Sequence, residues 1–257
     1  MRARESIRFY RRIDSEWLDA IAASVAAGDD EATMRAKLFK LLDGVVAGGQ
    51  KRNSACQKTI GVLSGVWFRV VPEMTEARDH AAGLLDLVEP KQRIAIHWAL
   101  MLGAFPFFVD VAANSGRLLA LQGDFSLSQL TRRMRETWGE RSTLDRATQR
   151  VIRSMVQWGV LVDAEGRGIY TSAPNRVSVI GELSLLLLEG LLVDQDGEAL
   201  PLNQAVGAAA LFPFEVQLAV SEIRRSRRFE VFRQGLDVDV VRLAEKDQFT
   251  AEHTSVN

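Results

Sequence analysis

The chain has 257 residues, 47% of them hydrophobic and 25% charged, with a formal net charge of -1. That length can bury one large core or two smaller ones, and the near-neutral balance excludes a polycation, so a nucleic-acid surface must be a local patch acting over roughly 8–10 Å. The single cysteine, Cys56, excludes an internal disulfide and a multi-cysteine zinc site, as expected of a reducing, cytoplasmic setting.

The opening "MRARESIRFYRRIDSEW" has arginines with no apolar run behind them and does not read as a secretory signal. "SEWLDAIAASVAAG" predicts a helix with Ser15 as N-cap, Trp17, Ile21 and Val25 at spacings of four, and Gly28 at its end. "DDEATMRAKLFKLLDGVVAGG" starts with acids that suit a helix N-terminus and places Met34, Leu38, Leu41 and Leu42 on one face. A polar loop follows over 48–58. "TIGVLSGVWFRVV" is β-branched and glycine-interrupted and fits helix or strand equally. Pro72 marks a boundary, and "EMTEARDHAAGLLDLV" predicts a further helix.

The longest apolar stretch is "IAIHWALMLGAFPFFVDVAA", residues 94–113. His97, Pro106 and Asp110 interrupt it, so it predicts a buried core helix instead of the roughly 20-residue apolar span a bilayer requires. His97 reads as a hydrogen-bonded core histidine. "LSLLLLEGLLV" is too short to span and carries Glu189. No membrane partner is expected.

Residues 126–157 divide into two amphipathic helices at Gly139. On the second, Leu144, Ala147, Val151, Met155 and Trp158 form a core-facing row widened by Ile152 and Val156. The opposite face carries Arg146, Gln149, Arg150, Arg153 and Gln157, with Thr148 and Ser154 flanking. This helix has no acid after Asp145, whereas a solvated helix normally mixes both signs. Arginine can grip guanine bidentately, glutamine can grip adenine, and either can hold a phosphate oxygen. The first helix starts at Ser126 or Ser128, buries Leu130 and Met134, and exposes Arg132, Arg133 and Arg135. Ser142 or Thr143 can cap the second. "WGVLVDAEGRGIYTSA" then reads as two short strands, out over 160–162 and back over 169–171, with Arg167 between two glycines at the tip. Helix, turn, helix and hairpin in this order predict a winged helix-turn-helix, with Thr148 on a phosphate and Arg167 reaching a minor groove or backbone. Seven arginines against three acids over 126–157 leave a local surplus inside a chain of net charge -1.

After Pro174 come an apolar stretch, the turn "DQDGE", and the alternating segments "FEVFRQG" and "LDVDVVRLA", which predict strands. Arg224, Arg225, Arg227, Arg228 and Arg233, around Phe229 and Phe232, form a second basic cluster: a phosphate clamp, a contact for an acidic partner, or a solvated corner. Arg2, Arg4, Arg8, Arg11 and Arg12 carry the same ambiguity. The expected organisation is a helical region over 1–90, a winged-helix region over 91–175, a C-terminal α+β region over 176–245 and a disordered tail over 246–257. The fold class is mainly α with minor β.

Little points to catalysis. His80, His97 and His253 lack ligand spacing, Cys56 has no histidine nearby in sequence, and no nucleophile elbow or phosphate-binding glycine loop is present. Asp237 and Asp239 share a face of a predicted strand, which exposed acids on an edge explain simply. No catalytic residue, metal ligand or cofactor is expected.

Trp98 followed by "FPFFVDVA", then Thr148 and Val151, then "WGVLVDAEGRGIYTSAP", resemble the BrxA proteins of BREX bacteriophage-exclusion systems. The likeness covers residues 94–174. It implies a small helical protein of winged-helix character that binds double-stranded DNA and works beside other proteins of a defence complex. The alternative from the residues is a protein-docking scaffold on the same framework; a metal-dependent nuclease is a third reading.

Overall fold

The computed structural model describes residues 5–235 and 238–245. Arg2, Arg4, Asp237, His253 and the tail from Lys246 lie outside the described residues. An extended segment, residues 5–14, leads into α1 (Ser15–Ala26). Asp14, not Ser15, holds the N-cap position of α1, and Ser15 is its first helical residue. In α2 (Glu31–Leu42) the Asp30 carboxylate accepts the Thr33 N–H at 2.7 Å. Met34, Leu38 and Leu42 are buried, whereas Leu41, placed with them on sequence, is 42% exposed. A step of four keeps the first three in one row, and Leu41 is turned about 100° from Leu42. The undecided segment after residue 58 belongs to α3 (Ala55–Trp67), capped by Ser54. Its Gly65 serves packing: a Cβ there would lie 2.9 Å from the Phe105 ring. Pro72–Met74 form a 3-10 turn that leads into α4 (Thr75–Leu84).

The expected single core helix is two helices. α5 (Arg93–Ala104) ends at Phe105, and α6 (Pro106–Gln122) departs at 119° from the preceding helical segment. Pro106 opens α6, where its missing N–H has no helical partner to lose. Asp110 does not end the run; it sits in the first half of α6. Among the described residues no single helix is long and apolar enough to cross a membrane. His97, on α5, is a buried hydrogen-bonded core residue. Its Nδ1 accepts from Trp67 Nε1 at 3.2 Å and its Nε2 donates to Asp19 Oδ1 at 2.9 Å. An indole N–H can only donate, so this geometry assigns the Nε2–H tautomer. Burial holds the imidazole below its ordinary pKa.

Residues 123–172 follow as β1 (Asp124–Ser126), α7 (Leu127–Trp138), α8 (Leu144–Gln157), β2 (Leu161–Asp163) and β3 (Ile169–Ser172). The strands form an antiparallel sheet in the order β1-β3-β2, with Phe125 opposite Tyr170 and Asp163 opposite Tyr170 on its other side.

The remainder comprises β4 (Val177–Val179), α9 (Glu182–Asp194), β5 (Leu200–Pro201), α10 (Leu202–Val206), β6 (Phe214–Val216), α11 (Val220–Arg225), β7 (Phe229–Gln234) and β8 (Val238–Leu243). β4 pairs parallel to β6, and β5-β8-β7 form an antiparallel sheet. α9 lies directly against α5: a Cβ on Gly190 would come within 2.1 Å of the Ala99 carbonyl oxygen. One hydrophobic cluster runs from Phe9 to Val241 and includes residues of every segment described above except β5, whose Leu200 packs against it. The basic cluster at the α11–β7 corner is ion-paired in large part. Arg224 lies 3.2 Å from Asp239, Arg233 3.9 Å from the same carboxylate, and Arg228 bridges Glu182 at 2.7 Å and buried Glu189 at 3.1 Å.

Candidate nucleic-acid interface

The start of α7 is fixed by a reciprocal cap. The Ser126 hydroxyl accepts the Gln129 N–H at 3.2 Å, and the Gln129 side chain accepts the Ser126 N–H at 2.8 Å. Gly139, at φ +69°, ends the helix where a side chain would be strained. α8 begins after Thr143, whose side chain makes no capping bond; Asp145 supplies a carboxylate in the first turn. The β2–β3 turn uses Gly166 at φ +100° and Gly168 at φ +75° on either side of exposed Arg167. The Gly168 carbonyl accepts the Leu127 N–H at 2.9 Å, which ties the hairpin base to the first residue of α7.

Two sides of α8 are occupied. Leu144, Ala147, Val151 and Met155 face the core. On the second side the segment 5–15 runs alongside. Arg141 Nη1 donates to the Glu5 carbonyl at 2.7 Å and Arg150 Nη1 to the Tyr10 carbonyl at 2.9 Å. Ser154 Oγ accepts the Ile13 N–H at 2.8 Å, Trp158 Nε1 donates to the Ile13 carbonyl at 3.0 Å, and Gln157 Oε1 accepts the Ser15 N–H at 2.8 Å. Phe9 nails the segment down among Phe105, Phe108 and Trp158, at centroid distances of 5.4, 5.5 and 6.4 Å.

What remains free is a groove of about 740 Å³ between one side of α7, α8 and the hairpin, lined among others by Ser128, Arg135, Arg146, Gln149, Arg153 and Arg167. Two acids enter it. Asp145 holds Arg135 at 2.6 Å, and Asp163 on β2 holds Arg153 at 2.7 Å. The Asp163 hydrogen bond raises the Arg153 pKa above its ordinary value. Arg146, Gln149 and Arg167 make no side-chain hydrogen bond or ion pair among the described residues, so their donors are available to an incoming anion. Four arginines against two carboxylates leave the groove net positive. Among the described residues, no group of three or more His, Cys, Asp or Glu is placed to hold a metal ion.

No protein-family model, curated protein or solved structure matches the chain.

The site residues read from the sequence therefore divide. Arg146, Gln149, Arg153 and Arg167 come together in the groove. Arg150 and Gln157 are half-buried and engaged by the 5–15 segment, so both face that segment's backbone. Thr148 is a correction. It is fully buried, and its hydroxyl has no hydrogen-bond partner among the described residues, so it cannot touch a phosphate. Its place was legible: it stands four residues from both Leu144 and Ile152, in the buried row. Arg132 is exposed and Arg133 half-buried on α7, and neither lines the groove. Arg135 lines it instead, one turn along from Thr131 and two from Ser128. The acids Asp145 and Asp163 were missed as groove residues. Asp163 reaches Arg153 only because β2 folds back along α8, and no helical spacing announces that contact.

Proposed function

We propose that residues 106–172 form a winged helix and that α8 binds double-stranded DNA through the groove between α7, α8 and the hairpin. The single observation that carries this reading is the open trio Arg146, Gln149 and Arg167 on a net-positive groove, flanked by a hairpin turn. Support for the winged helix is the element order helix, strand, helix, helix, hairpin with sheet order β1-β3-β2. In this reading α8 enters the major groove, Arg146 and Gln149 address base edges, and Arg167 at the wing meets backbone or minor groove. Arg153 holds a phosphate in exchange for Asp163. The likeness of residues 94–174 to BrxA proteins adds a phage-defence setting, with other proteins of such a system as further partners.

The test is a titration with a short duplex, wild type against Arg146→Ala/Gln149→Ala. These side chains hold nothing else in place, so the fold is expected to persist while affinity falls more than tenfold. Arg150→Ala is a poorer probe, because it also releases the Tyr10 carbonyl. Wild-type binding that the double variant keeps would remove the groove from consideration. Absence of binding at low salt would favour protein docking on the same arginines.

A further inference from the structure

We propose that the extended segment 5–14 forms a second phosphate-binding rail beside α8, with Arg11 and Arg150 clamping one backbone phosphate of the duplex. This inference rests on the DNA-binding reading of α8 and extends its footprint to the side of the helix away from the hairpin.

The segment is held by buried side chains and by hydrogen bonds to its backbone. Phe9 and Ile13 are buried, and the backbone from Glu5 to Ser15 is fastened to α8 and its flanks by Arg141, Arg150, Ser154, Gln157 and Trp158. Three arginines stand between these anchors: Arg8 is exposed, Arg11 is half-buried, and Arg12 pairs with Asp14 at 3.0 Å. Arg11 follows directly on Tyr10, whose carbonyl accepts from Arg150 Nη1 at 2.9 Å, so the Arg150 guanidinium lies against the backbone from which Arg11 projects. Neither pairs with an acid among the described residues. Burial, and then the Arg150 charge, push the Arg11 pKa below its ordinary value. Two like charges kept together without a counter-charge are destabilising for the free protein and complementary to an anion.

The chemistry recognised is a phosphodiester. Among the described residues Arg150 spends one Nη1 hydrogen bond on Tyr10 and keeps its other donors, and Arg11 keeps all of its own. A bound phosphate between them neutralises the repulsion and accepts hydrogen bonds from both. The rail reads no base, because every phosphate presents the same oxygens. It therefore adds affinity and salt dependence without sequence preference.

The experiment measures duplex affinity across a salt series for wild type, Arg11→Gln, Arg11→Lys and the groove double variant Arg146→Ala/Gln149→Ala, each with a thermal melt. Loss of one phosphate contact lowers the slope of log affinity against log salt by about 0.9, which is about eightfold in affinity at 0.1 M salt. Arg11→Gln is expected to show this loss on any duplex sequence, with a melting temperature equal to or above that of wild type because the repulsion from Arg150 is gone. Arg11→Lys is expected to keep most of the slope. The rail is overturned, and the groove reading kept, if Arg11→Gln leaves affinity and slope unchanged while the groove variant loses binding. A lowered melting temperature together with lost binding in Arg11→Gln also overturns it, since that marks a structural residue. Failure of the wild type to bind duplex overturns both readings.

Discussion

Arg153 Nη1 lies 2.7 Å from Asp163 Oδ1 and 2.9 Å from Oδ2, so an arginine of α8 and an acid of the hairpin close one side of the groove against each other. Both side chains are about half exposed, and exposed pairs of this kind contribute about 0.2–1 kcal/mol. Stability therefore depends little on the pair, while binding of an anion depends on which partner remains. Asp163→Asn is expected to tighten duplex binding by about two- to fivefold and to shift the denaturation midpoint very little. Weaker binding in this variant would mean that Asp163 positions Arg153 and does not compete with phosphate.

Thr148 offers the opposite separation. Its buried hydroxyl lacks a partner among the described residues, and an unpaired buried hydroxyl costs about 1–3 kcal/mol. Thr148→Val keeps the shape and removes the unpaired group. It is expected to raise stability by about 1 kcal/mol, which is about 2–4 °C in Tm for a chain of this size, without altering DNA affinity. Reduced affinity with intact folding would return Thr148 to the interface.

Acid sensitivity of the core is expected from His97. Burial lowers its pKa from the ordinary 6.5, so below that value the unfolded chain takes up a proton that the folded chain refuses. The contribution of the neutral imidazole is complete above about pH 6.5 and is lost as pH falls from there through the folded-state pKa. Urea midpoints at pH 7.5 and 5 are expected to converge for His97→Gln and to differ for wild type, with the wild type weaker in acid. An equal acid loss in both would assign the sensitivity to other groups.

Close backbone packing gives a further test. A Cβ at Gly190 meets the Ala99 carbonyl oxygen at 2.1 Å, whereas one at Gly61 in the middle of α3 meets nothing within 4 Å. Gly190→Ala must push α9 off α5 and is expected to cost about 1–3 kcal/mol. Gly61→Ala removes backbone freedom from the unfolded chain and is expected to stabilise by about 0.4–1 kcal/mol. Chemical denaturation of the pair side by side reads both signs.

Local signals made the helical framework legible. Alternating apolar rows, the Ser126 cap and the Gly139 break located α7 and α8, and the β2–β3 hairpin stands within a residue of where its glycines and β-branched runs place it. The mainly helical character with small sheets also follows from periodicity. What periodicity could not carry was the neighbourhood of each exposed position. A helical wheel treats Arg150 and Gln157 like Arg146, because it knows nothing of the segment 5–15 lying along one side. The bend at Pro106 hid for a related reason: an apolar run looks the same whether one helix or two fill the core. The pairing of the α11–β7 arginines with Glu182, Glu189 and Asp239 likewise depends on elements that are remote or folded back in space.

The fastening of α8 to the segment 5–15 joins residues 141, 142 and 145 positions apart. During synthesis at about 5–20 residues per second, Ile13 is added to the chain roughly 7–30 s before its partners Ser154 and Trp158 exist. For that interval Phe9 has no pocket to enter and Arg11 has no Arg150 beside it. An excised fragment of residues 91–175 reproduces the same unfinished condition permanently, with Trp158 Nε1 and Ser154 Oγ stripped of the Ile13 backbone groups that satisfy them. α8 with its side contacts complete is thus a late product of the span from Glu5 to Trp158, and its assembly reports that both ends of this span have come together.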